Sequence, residues 1–266
     1  MPSAGRVARR LGQTAAALWR NLRLPGALWY LAAAAFVTSA VGILVGRKYF
    51  LPALDVAAVF PIFLWARSRR NIQSVTLAVL FWAGCKAVAV ATLTVLFPAR
   101  AAGAVAFGPA YAEGMWLWLA TGVDLAGVGA AGTARLLEAA VIAGLSLMTA
   151  GAAGLLYGAA LLNGQAYYLG TLFLRATEPW KVVVFGWPLW EIFRALGFAN
   201  LLVVAAEPLA ARLLGRPSRG RDVRDGLMIA ALMLALAYVA QISLAAWWRE
   251  LLAPALIFEA PELWVP

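Results

Sequence analysis

Hydrophobic positions come in long unbroken runs, and the charged ones gather between them. One run extends from about Pro25 to Val45 and stops at Arg47 and Lys48; a second spans about Val75 to Phe97, and a third Leu227 to Trp247, closed by "WWRE". Each approaches the roughly 20 apolar residues that cross a hydrocarbon core. The runs are continuous in Ala, Leu and Val and lack the period-2 alternation of a membrane barrel, so the spanning elements are predicted to be helices.

Other segments are less regular. "FLPALDVAAVFPIFLW" (Phe50 to Trp65) contains Asp55 and two prolines and reads as too short and too broken for a firm span, and Arg67, Arg69 and Arg70 close it. Residues 98 to 135 tolerate polar residues, carrying Glu113 and Asp124, and "MWLWLA" predicts a Trp-bearing helix at the lipid interface. Apolar sequence then continues from Leu136 to Leu174, too long for one crossing. The pair Asn163 and Gly164 divides it into a helix of about Leu136 to Leu162, a break and a shorter helix. "RATEPWK" makes a turn in which Pro179 stops whatever precedes it, and the run Val182 to Val204 is interrupted at Gly186 and Pro188.

Composition agrees with a membrane protein: 64% of the 266 residues are hydrophobic and 13% are charged, against roughly 45–50% apolar residues in soluble domains. The net charge of +10 does not imply a nucleic-acid partner, because the positive residues concentrate in two blocks beside apolar runs. Arg6, Arg9, Arg10, Arg20 and Arg23 form one; Arg212, Arg216, Arg219, Arg221 and Arg224 form the other. Such blocks set orientation and meet anionic headgroups. In residues 1–24, Val7, Leu11, Ala15, Leu18 and Leu22 recur at helical spacing, which predicts a basic amphipathic helix on the membrane face. The chain thus divides into that helix, a transmembrane bundle over residues 25–250 and a short tail over 251–266.

With both basic blocks placed in the cytoplasm, the amino terminus is inside and the number of crossings is odd. Five crossings result if the two short pieces are re-entrant or interfacial, seven if both cross. The expected fold is therefore an all-α polytopic bundle of five to seven membrane segments with two broken or re-entrant helices, in the cytoplasmic (inner) membrane. With one cysteine and no histidine, the chain lacks an internal disulfide, an imidazole metal site and a Ser-His-Asp triad. No cofactor, metal or catalytic residue is expected.

Lys86 stands inside the second firm run and needs a partner, since an ammonium at mid-bilayer costs about 2.5–3.5 kcal/mol on insertion scales. Glu191, Glu138 and Asp55 are the candidates. Glu191 and Arg194 share a helical face three residues apart, and a cluster of Glu191, Lys86 and Arg194 inside the bundle is the preferred reading. Ala150, Gly154 and Gly158, spaced by four, predict a small-residue face for close helix approach.

"LLNGQAYYLG" followed by "GWPLWEIFRALGFANLL" resembles the stage II sporulation protein M family. An asparagine-glycine pair at the end of an apolar helix is matched by Asn163 and Gly164. The acid of the family's second motif is matched by Glu191, with Ala195 and Gly197 behind it, while Gly186, Trp187 and Pro188 replace its Pro-His-Gly. The resemblance implies a polytopic membrane protein without catalytic residues that acts as a scaffold in envelope or septum remodelling. Expected partners are membrane lipids, other envelope membrane proteins or further copies of the chain.

Two function classes follow. One is that non-enzymatic scaffold or assembly subunit; the other is a transporter or flippase-like permease, because two broken helices beside buried charges are how such proteins build mid-membrane sites.

Overall fold

A computed structural model describes residues 25–69, 71–122 and 127–258. The basic helix expected over residues 1–24, and Arg70, Asp124, Glu259, Glu262 and Trp264, lie outside the described residues. Within them the chain forms ten α-helices and no strand. These are α1 (Pro25–Val45), α2 (Phe50–Arg69), α3 (Ile72–Leu96), α4 (Pro98–Ala104), α5 (Gly108–Thr121), α6 (Gly127–Met148), α7 (Ala152–Leu174), α8 (Pro179–Phe185), α9 (Leu189–Leu213) and α10 (Gly220–Leu252).

Five of them, α1, α2, α3, α9 and α10, are long and apolar enough to cross a membrane. The protein is an all-α membrane bundle. Helices α6 and α7 match the others in length, at 22 and 23 residues, and α7 runs through the middle of the bundle with twelve buried residues.

Two expectations about breaks are corrected. Phe50 to Trp65 belongs to one 20-residue helix. Pro52 falls in its first turn, where a missing N–H costs nothing, and the helix continues past Pro61. The long apolar stretch does not break at Asn163 and Gly164, which lie inside α7; it breaks at Thr149 to Gly151. Ala150 and Gly151 adopt φ of 53° and 100° there, and a Cβ on Gly151 would meet Phe63 at 2.9 Å, so glycine serves both the turn and the close packing. Asn163 remains helical because its side chain is committed to another helix and does not compete for the local backbone. The small-residue face divides as well: Ala150 sits in the turn, Gly154 packs on Ser146 of α6, and Gly158 borders a cavity.

The break at Gly186 to Pro188 is present, between α8 and α9. Among the carbonyls there, that of Phe185 accepts a hydrogen bond from the Trp248 indole N–H at 2.6 Å. "MWLW" lies on the short helix α5, as expected, where Trp116 donates to Thr171 at 3.3 Å and carries the Arg175 guanidinium over its ring.

Four helices pack as a ring, α3 on α7, α7 on α6, α6 on α9 and α9 on α3. Helices α1 and α2 lie outside this ring against α3 and α7, while α10 covers α9. Close approach depends on small residues: a Cβ on Gly170 of α7 would lie 2.5 Å from Thr94 Cβ and 2.8 Å from the Ala91 carbonyl of α3, and one on Gly197 of α9 would lie 2.8 Å from Leu234 of α10.

Candidate functional site: two charged centres on either side of one helix wall

Helices α3 and α7 form a wall with a charged centre on each side. On the outer side lies Lys86. Its Nζ is 2.7 Å from Asp55 Oδ1, and both side chains are fully buried. Thr38 of α1 donates to the same oxygen at 2.6 Å, and Asn163 of α7 donates to Oδ2 at 3.3 Å. Four helices are therefore tied at one carboxylate, whose charge is met by an ammonium and two neutral donors. The expected cluster of Glu191, Lys86 and Arg194 is corrected: Asp55 is the partner, because α2 is a full helix that carries its acid to the depth of Lys86.

On the inner side, Glu191 and Arg194 do pair, as their spacing requires. Gln165 of α7 donates to Glu191 Oε2 at 2.7 Å, and Arg194 Nη2 donates to Gln241 of α10 at 2.7 Å. A second pair faces them from α6, where Arg135 donates to Glu138 Oε1 at 2.6 Å. Arg135, Glu138, Glu191 and Arg194 all lie within electrostatic reach of the Tyr111 hydroxyl on α5. Sequence reasoning passed over Arg135, Gln165 and Tyr111; the only signal was the three-residue spacing of Arg135 and Glu138.

These inner groups close one end of a cavity of about 380 Å³ inside the four-helix ring. Tyr111, Arg135, Glu138, Gln165 and Arg194 line that end, and the rest of the wall is apolar, with Val79, Leu80, Ile142, Leu155, Phe198 and Leu202. Its size falls near the lower end of the ~300–1,000 Å³ typical of small-molecule sites, which combine apolar walls with a few placed polar groups. Glu138 Oε2 is buried without a hydrogen-bond partner, and so is the indole nitrogen of Trp82, another wall residue.

The residues of the sequence motif divide between these features. Asn163 faces the outer centre and Gly164 the cavity, where a Cβ would find nothing within 4 Å. Ala195 also borders the cavity, and Gly197 instead lets α10 approach. Among the described residues no group of three or more His, Cys, Asp or Glu side chains could hold a metal ion.

A third charged centre lies at the end of the bundle where α2 finishes and α10 begins. Glu207 of α9 pairs with Arg67 of α2, both fully buried, and accepts from Arg216 at 2.7 and 2.9 Å and from the Arg219 backbone N–H at 3.1 Å. The chain matches no protein-family model, no curated protein and no solved structure.

Proposed function

We propose that the protein is a permease of the flippase type, which holds an amphiphilic molecule inside the four-helix ring and moves it across or between the leaflets. The observation that carries this reading is the cavity, apolar along its length and charged at one end. That is the shape of an amphiphile's environment, with walls for a chain and fixed polar groups for a head. The helix break at Gly186 to Pro188 lies one turn from Glu191, and interrupted helices beside a charged site are a recurring device of transporters.

Seven long helices would make seven crossings, with the arginine-rich end of the bundle, Arg67, Arg212, Arg216 and Arg219 included, in the cytoplasm of a cell whose inner membrane holds the protein. The amino terminus is then inside. Membrane lipids are the expected ligands, and no catalytic step is assigned.

The test is translocation in proteoliposomes, read as the loss of fluorescence of a labelled short-chain lipid to an impermeant quencher. Faster loss with the native protein than with Gly164→Leu, whose side chain would fill the cavity, is expected. Equal rates would overturn the permease.

The scaffold is the second reading, and the outer face of α10 favours it. Only 11% of the apolar window of that helix is buried, and Leu227, Met228, Leu232, Leu236, Val239 and Ile242 are exposed. Crosslinking from that face in native membranes would capture a partner protein if the scaffold reading holds and lipid alone if it does not.

A further inference from the structure

The cavity's own chemistry narrows what it can hold. Its wall follows α7 from Leu155 to Gln165, ten residues or about 15 Å of helix. That apolar length gives an extended hydrocarbon chain a wall to lie along.

The charged end has no net charge. Arg135 and Arg194 are matched by Glu138 and Glu191, each acid held by the arginine three residues away. An anionic head would bring an uncompensated charge to a site whose own charges already balance beside an apolar wall, which is costly. Every strong acceptor there is engaged except one. Glu191 uses Oε1 for Arg194 and Oε2 for Gln165, and Glu138 uses Oε1 for Arg135, but Glu138 Oε2 is buried with no donor. A buried carboxylate oxygen left empty is disfavoured, and a ligand N–H or O–H would satisfy it.

We infer that the cavity takes an amphiphile whose head is net neutral and carries an ammonium N–H donor for Glu138. The chain lies between Leu80, Leu155, Phe198 and Leu202. In a zwitterionic head the ammonium meets Glu138, and the anionic half stays beside Arg135, whose side chain is one-third exposed at 32%. This assignment rests on the cavity being the binding site named above.

The experiment is a native mass-spectrometry titration of the full chain in detergent with three lysolipids of equal chain length. Lysophosphatidylethanolamine is net neutral with N–H donors, lysophosphatidylcholine is net neutral with none, lysophosphatidylglycerol is anionic, and all three share the backbone glycerol hydroxyl. The first should bind about tenfold more tightly than either of the others, the size expected of one hydrogen bond to a charged group. In Glu138→Gln the preference for it should shrink to about threefold or less, a loss of most of that same hydrogen-bond energy. Equal binding of all three to the native chain, or a preference for the anionic one, would overturn the head assignment and leave the cavity reading intact. If none binds the native chain better than it binds Gly164→Leu, the cavity reading fails and this assignment with it. Because the native comparison decides the matter alone, a Glu138 variant that does not fold leaves the test whole.

Discussion

Asp55 holds Lys86. Their charged atoms lie 2.7 Å apart with both side chains fully buried, and the acid also accepts from Thr38 and Asn163. The pair fixes α2 against α3, with α1 and α7 joined through the same carboxylate. Removing one partner leaves the other charge buried, which costs about 3–5 kcal/mol, whereas replacing both by apolar residues can be nearly neutral. Asp55→Leu should therefore be the worst single change, leaving an unpaired ammonium and two idle donors. Lys86→Met should be milder, since Thr38 and Asn163 still serve the acid, and the double variant should be more stable than Asp55→Leu. Melting in detergent gives the order. A double variant weaker than both singles contradicts the pairing.

The same experiment separates the two centres. Lys86→Met and Glu191→Leu act on opposite sides of the α3–α7 wall and share no partner, so their losses should add within about 0.3–0.5 kcal/mol. A coupling well beyond that would restore the contact between Lys86 and Glu191 that the geometry excludes.

Two glycines of α7 should respond with opposite sign to alanine. Gly164 faces open space, so Gly164→Ala should stabilise the helix by about 0.5–1 kcal/mol. Gly170 has Thr94 and the Ala91 carbonyl within 2.8 Å of where its Cβ would stand, so Gly170→Ala should destabilise by forcing α3 and α7 apart, at about 1–3 kcal/mol. The shifts in melting midpoint read both signs directly, and a destabilising Gly164→Ala would mean that the cavity is not open there.

Glu207 gathers Arg67, Arg216 and the Arg219 amide at one carboxylate. Glu207→Ala should release the α9–α10 loop as well as lower stability, because it leaves the Arg67 guanidinium buried and unpaired. Trypsin should then cut after Arg219 at temperatures well below the melting point, the Arg216–Pro217 bond being resistant to it. In the native chain the loop should resist until global unfolding, and equal cutting rates would show that Glu207 does not anchor it.

How much was legible in advance follows from which forces are local. Apolar runs and arginine blocks report burial in lipid and orientation, so the helical bundle and the spans at Pro25, Val75 and Leu227 could be read from sequence. The Glu191–Arg194 pair was legible too, because helix geometry alone sets its spacing. Asp55 was a candidate but ranked below Glu191, because two prolines, one in a first turn and one interior, make its segment look broken although a helix packed on its neighbours tolerates both. Asn163 and Gly164 look like a break only if their side chains are taken alone. Helical propensity gave way there to a hydrogen bond across 108 residues and to an open cavity. The cavity itself depends on four helices closing into a ring, and no local pattern encodes that.

The proposed permease requires a binding site for an amphiphile between the four helices of the ring. The most direct measurement is native mass spectrometry of the native chain and of Gly164→Leu, purified side by side from the same membranes in a mild detergent and matched for melting behaviour. The native chain should retain one chain-bearing small molecule that Gly164→Leu lacks, with loosely bound lipid alike on both. The same adducts in the same amounts on two equally folded proteins would contradict the claim.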